Sequence, residues 1–207
     1  MTKNKIVLQF RVSLLGVSPE VWRRIIVPEK YTFWDFHVAI QDAMGWLDYH
    51  LHEFRVNDWM EDEIVKFGIP GDDFDDHYQI EPSWESSIYE YFVDPGDSGA
   101  YIYDFGDNWV HEILLEAIML AEKRVKYPKC VAGERACPPE DCGGVGGYAR
   151  LLGILDDPAD EEHEDMVSWL QGHAKNYYPF DPAEFNPEAV RFSHPKKRFE
   201  EAFSDVE

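Results

Sequence analysis

A chain of 207 residues with 44% hydrophobic and 15% aromatic content can build one sizeable core, so a single domain, with or without an appendage, is expected. Its formal charge of −22, from 41 carboxylates against 19 Lys and Arg, argues against non-specific nucleic-acid binding and against an anionic membrane, because phosphates would be repelled. No apolar run reaches the roughly 20 residues of a membrane span, MTKNKIVLQF is too short and too charged for a signal peptide, and three cysteines suit a reducing cytoplasm better than a disulfide framework.

Residues 6–14 alternate cleanly, with Leu8, Phe10, Val12 and Leu14 on one face and Gln9, Arg11 and Ser13 on the other, the period of a half-buried strand. Gly16-Val17-Ser18-Pro19 turns the chain into a second strand, Val21 to Val27, stopped by Pro28, and the two should pair as a hairpin. Thr32 with Asp35 three residues on has the form of a capping box. Phe33, Phe36, His37, Ile40, Ala43 and Met44 then repeat at helical spacing, and Gly45 closes the helix. A third strand follows in YHLHEFRVN, with His50, His52, Phe54 and Val56 on one face. Two histidines two apart on a strand form a usable metal-ligand pair, or equally a core or rim pair with carbonyl partners.

Residues 57–97 hold 13 Asp or Glu against one lysine, Lys66, and show no clear apolar period. They read as a long acidic excursion with one short strand around Ile88 to Val93. Asp72-Asp73-Phe74-Asp75-Asp76 lacks the central glycine and closing glutamate of an EF-hand loop, so it reads as a solvated acidic loop.

The stretch around which the chain is organised is Tyr101 to Glu116, YIYDFGDNWVHEILLE: two strands joined by a tight turn at Gly106-Asp107-Asn108. Trp109, His111, Ile113 and Leu115 share one face. Asp104, Asp107 and His111 lie within side-chain reach across the turn and are the candidate catalytic residues. They form either a buried histidine satisfied by an aspartate or a metal or acid–base site. The DFG string here lacks the Gly-rich loop, strand lysine and HRD loop of a kinase.

Beyond the hairpin, YPKCVAGERACPPEDCGGVGG (127–147) reads as a loop rich in Pro, Gly and Cys. Cys130, Cys137 and Cys142, spaced C-x6-C-x4-C, could bind zinc with His163 as the fourth ligand, although the usual CxxC knuckle is missing. Packing cysteines and a redox role are the alternatives. Helices are expected over Tyr148 to Leu155, Glu161 to Gly172 and Pro187 to Phe192. The charged tail HPKKRFEEAFSDVE is expected to fray.

This order of elements predicts an α+β domain: a β-grasp-like mixed sheet with one main helix, followed by a C-terminal helical segment packed on it. One domain would run over 4–192, with its sheet core in 4–120, the Cys/Pro/Gly loop and helices in 121–192, and a tail over 193–207. The segments SPEVWRRIIVP, AIQDAMGW, HLHEF, YDFGDNWVHEI and CPPEDCGGVGGY, in this order, resemble the plasmid pRiA4b ORF-3-like family, also labelled a TnpR-type passenger protein of insertion elements. The resemblance spans about residues 4–192. It implies an α+β fold of bacteria, archaea and mobile elements, without an established activity. The resolvase label would rest on Phe10-Arg11-Val12-Ser13, which mimics the first strand of serine recombinases. Converging arginines, a basic surface and a DNA-reading helix pair are not visible, so Ser13 reads as an outward strand serine.

Two functions are therefore weighed. The first is a non-catalytic acidic binding or accessory protein, linked to mobile elements and acting through its acidic face on a basic protein partner. The second is a metal-dependent hydrolase of phosphoesterase type. It would draw on His50, His52, Asp104, Asp107 and His111, a mix of imidazole and carboxylate that suits Zn, Mn or Fe and needs the five side chains to converge.

Overall fold

The alternation over residues 6–14 becomes β1 (Ile6–Leu14), which pairs antiparallel with β2 (Val21–Pro28) so that Leu14 faces Val21 and Val7 faces Pro28. The computed structural model describes residues 5–58, 61, 63–71 and 79–204. The first helix, α1 (Phe33–Met44), starts where the capping box predicts. The Thr32 hydroxyl accepts from the Asp35 amide at 3.2 Å, the Thr32 amide donates to the Asp35 carboxylate at 3.3 Å, and Gly45 closes the helix at φ 90°. β3 (His52–Asp58), β4 (Glu63–Gly68) and β5 (Glu81–Pro82) follow, then β6 (Ser98–Tyr103), β7 (Trp109–Leu120) and β8 (Lys129–Glu134).

All eight strands form one sheet in the order β5-β4-β3-β6-β7-β1-β2-β8, antiparallel throughout except between β4 and β5. With four helices among the described residues, the fold is α+β. α1 lies across the inner face and seals it with aromatic rings: Phe33 stacks on Phe67 at 4.1 Å and Phe36 meets Phe10 at 4.6 Å. Each such ring taken out of water contributes about 1.5–3 kcal/mol. None of the described helices is long and apolar enough to cross a membrane.

One charged side chain also faces inward. Arg23, 1% exposed, donates through Nε to the Ala43 carbonyl in the last turn of α1, and through Nη1 to the carbonyls of Trp22 and Glu134. Its guanidinium lies 3.7 Å from the centre of the Phe185 ring. The cation satisfies carbonyls at a helix C-terminus and ties helix, β2 and β8 together. The outer sheet face is a polar ladder: Glu116 accepts from Gln9 and Arg24, and Arg11 stacks over Trp22 and pairs with Glu20. Ser13 lies here, but it is covered rather than outward in solvent: only 4% of it is exposed, and its hydroxyl accepts from Arg11.

Several expectations change. Ile88–Glu90 is a 3-10 turn, not part of a strand, and Ile88 and Phe92 plug the core. The acidic excursion instead carries β4, whose fully buried residues are Phe67 and Gly68, too few for a period to show, and the two-residue β5. The run at 72–76 lies outside the described residues. Residues 129–134, read as loop, form the edge strand β8 on β2. Helix α2 (Gly144–Asp156) starts four residues earlier than expected, α3 spans His163–Gly172, and Pro187–Ala189 is a single 3-10 turn. The described part of the tail, to Ser204, is helical rather than frayed. It forms α4 (Pro195–Ala202), whose Phe199 packs on Trp34 and Trp84 together with Phe203 just beyond the helix.

Candidate metal centre

Three loops meet at one end of the sheet. His50 comes from the connection between α1 and β3, Asp104 from the end of β6, and Asp141 from the connection between β8 and α2. The loops are pinned from beneath. The Trp46 indole donates to the Pro138 carbonyl at 3.0 Å, and the Leu47 amide donates to the buried Glu140 carboxylate at 2.8 Å. Tyr103 donates its hydroxyl to the same carboxylate and accepts from the Tyr49 amide, and the Asp107 carboxylate accepts from the Gly143 amide at 3.1 Å. Burial, and then Glu140 itself, pushes the Tyr103 hydroxyl far above its ordinary pKa, so it stays a donor.

The loops bring His50 Nε2 within 2.9 Å of Asp141 Oδ1 and 3.6 Å of Asp104 Oδ2. Ligand atoms of all three residues lie within 4.8 Å of one another, and among the described residues no other group of three or more His, Cys, Asp or Glu does so. Ligands held at 2.0–2.2 Å from an ion, at angles of tetrahedral or octahedral size, stand about 2.8–3.6 Å apart. The two His50–carboxylate separations fall in that range. Asp104 and Asp141 both hold left-handed backbone, φ 54° and 59°, a conformation that costs a non-glycine residue energy and collects at functional sites. Asp104 Oδ1 is occupied by the Gly106 amide at 2.9 Å, leaving Oδ2 toward His50. The site opens outward, and Tyr49, Leu51 and Phe105, the chain neighbours of His50 and Asp104, are roughly half exposed.

The other expected site residues go elsewhere. Asp107 caps the loop at Gly143. His111, fully buried, bonds through Nδ1 to the Tyr101 carbonyl at 3.2 Å rather than to an aspartate, and its Nε2 has no partner among the described residues. Burial lowers its pKa to about 4. His52 turns to the core side of β3 and stacks on His37 at 3.6 Å, so His50 and His52 part rather than share a ligand site. Cys130, Cys137 and Cys142 are free and, with His163, do not form a gathered set. Burial raises all three thiols, Cys137 to about 12. Cys130 and Cys137 are buried and Cys142 is half-buried.

A second polar cluster escaped sequence reading. Beneath α4, His37 donates to Asp48 at 2.8 Å and bonds through Nδ1 to the Tyr101 hydroxyl at 2.8 Å, which also accepts from Gln41. Arg198 bridges Asp48 and Asp42, each at 2.9 Å. Burial would raise the Asp48 carboxyl, but His37 and then Arg198 overcome it and hold it well below the usual carboxylate range. The one available signal was His37 amid the apolar positions of α1.

Residues 6–189 match the plasmid pRiA4b ORF-3-like protein family, and the chain belongs to it. A relative described as uncharacterized protein y4hQ, from Sinorhizobium fredii, is 36% identical over 163 residues, covering 79% of this chain and 80% of its own length. The crystal structure of a protein of unknown function from Methanosarcina mazei Go1 superposes with a TM-score of 0.81 at 41% identity, covering 92% of this chain and all of the other.

Proposed function

We propose that this protein binds a divalent metal ion through His50, Asp104 and Asp141, and that the ion's open positions are where it meets its ligand. The supporting observation is the convergence of one imidazole and two carboxylates from three separate loops, with ligand atoms within 4.8 Å of one another and His50 at ligand spacing from both carboxylates. One nitrogen and two oxygen donors suit Zn, Mn or Fe. Three protein ligands leave positions for water or an oxyanion, and Tyr49, Leu51 and Phe105 offer apolar contact around them. The reading keeps the accessory class, in which the −22 surface favours a basic partner. A hydrolytic reading is favoured by the open coordination alone, since an ion so held can activate a bound water.

The test is calorimetric titration of tag-free, chelator-treated protein with Mn2+ and Zn2+. One equivalent is expected to bind, and Asp141→Asn and His50→Ala should each weaken binding at least about 10-fold, as loss of a direct ligand does. Equal binding by wild type and both variants would reject the site. Turnover of a generic phosphoester by wild type, lost in Asp141→Asn, would establish the hydrolytic reading; inertness would leave binding.

A further inference from the structure

One groove of this acidic molecule is lined mainly by cations. A groove of about 1340 Å³ runs between the N-terminal strand, the 121–128 turn and the segment leading into α4. The first strand's approach and the turn supply Lys5, Lys123, Arg124 and Lys126 to its lining. The β2–α1 connection and the C-terminal segment add Lys30, Arg191 and Lys196, and the carboxylates that line it are Asp35 and Glu122. Seven cations less two carboxylates give a local charge near +5, and the rest of the molecule then carries −27. Lys5, Lys123, Arg124 and Lys126 make no ion pair among the described residues. Arg124, at the tip of the turn, is held at φ 70°, left-handed for a long side chain. Tyr127 and Phe192, half-buried, lie in the same lining.

We propose that this groove binds a short segment of single-stranded nucleic acid, with its phosphates on the cations and its bases against the aromatic rings. Unpaired cations interleaved with aromatic faces are the two requirements of sequence-tolerant single-strand binding. The chemistry also sets limits. A duplex is rigid and carries a charge every 1.7 Å or so of its axis, and would press phosphates against the −27 remainder. A short flexible strand can stay within the groove, where salt at physiological strength screens charges beyond about 8 Å. An acidic peptide is the competing occupant. Peptides gain affinity by pairing with a free strand edge. At β8, the edge strand that follows the basic turn, the 182–189 segment already packs alongside: the Ala136 amide donates to the Pro182 carbonyl, and Phe185 covers Gly133.

The experiment is fluorescence anisotropy of the full chain with a labelled oligo(dT) of roughly 12 nucleotides, within the span of known single-strand sites, over 50 to 200 mM salt. Wild type is expected to bind, with affinity falling as salt rises. The triple variant Lys123→Glu, Arg124→Glu, Lys126→Glu, at exposed positions of one turn, should lose at least tenfold and flatten the slope of log K against log salt by about two units, since each phosphate contact contributes about 0.7. A thermal melt matched to wild type shows that the triple variant is folded, and Lys196→Ala, at the other end of the lining, gives a milder second variant expected to weaken binding less. Absence of binding at 50 mM salt, binding unmoved by the charge reversal, or displacement of the oligonucleotide by poly-glutamate at equal charge concentration would each overturn the proposal, the last in favour of an acidic peptide.

Discussion

His111 offers a direct measure of how dry the centre of this sheet is. It sits edge-on to Trp46 at 5.3 Å, is tilted against Tyr101 at 5.4 Å, and is fully buried. Burial, with a smaller push from Arg23, holds its pKa at about 4 against the opposing bonds of Tyr101 and Trp109. The folded value lies below the unfolded one, so the unfolded chain takes up the proton first. The stability linked to this residue is therefore complete above pH 6.5 and is lost as pH falls toward 4. At pH 5.5 an unfolded histidine of ordinary pKa gains about 1.4 kcal/mol from protonation, while the folded one gains almost nothing. His111→Phe keeps a ring of similar size between Trp46 and Tyr101 and cannot titrate. Urea unfolding of both proteins at pH 7.5 and 5.5 then isolates the effect, because His52, whose pKa burial also lowers, is common to both. Both conditions stay above the isoelectric point near 4.6, where solubility fails. The wild type should lose about 1.4 kcal/mol more than the variant between the two conditions. Equal losses would mean that the imidazole is hydrated in solution and that the burial argument is wrong.

Two further outcomes are expected. Asp141 pays for its φ of 59° with backbone strain, and among the described residues its side chain bonds only to His50, so Asp141→Gly should leave stability unchanged or raise it by up to about 1 kcal/mol while removing the proposed metal binding; a clear loss of stability in a thermal melt would show that the loop depends on the carboxylate. Arg198→Ala removes three charge-assisted hydrogen bonds, to Asp42, Asp48 and Ser193, and should cost about 2 kcal/mol by urea unfolding; a cost below about 0.5 kcal/mol would mean that α4 is held by its other contacts, Phe199 and Phe203 among them.

What could be read from the sequence was whatever local physics fixes. The β1–β2 hairpin is legible because its alternation runs the full length of both strands, and α1 because Thr32, Asp35 and Gly45 mark both ends within a dozen residues. The alternation of Trp109, His111, Ile113 and Leu115 likewise survives in β7. Strands that owe their existence to a neighbour were not legible. β8 carries one fully inward residue, Cys130, in a sequence full of turn formers, and is a strand because β2 offers it an unpaired edge. The tail reads as a solvated, charged helix until Trp34 and Trp84, distant in sequence, supply a surface for Phe199 and Phe203.

The candidate centre shows the same division. His50 and Asp104 were visible as a histidine expected within the third strand and an aspartate at a turn, and the strand period then suggested His52 and His111 as companions. That period holds within β3 and β7 but not at His50, which lies before β3 begins; a core face holds no water and rewards stacking, so His52 and His111 were taken into the aromatic interior. The third member of the centre came instead from Asp141, 91 residues from His50 and inside a loop whose cysteines drew attention to themselves. Nothing local distinguishes Asp141 from its acidic neighbours. Its position is set by Trp46, Glu140 and Asp107, which fasten the loop from below. A candidate centre on loops is thus specified by the residues that hold the loops, and these lie buried beneath it.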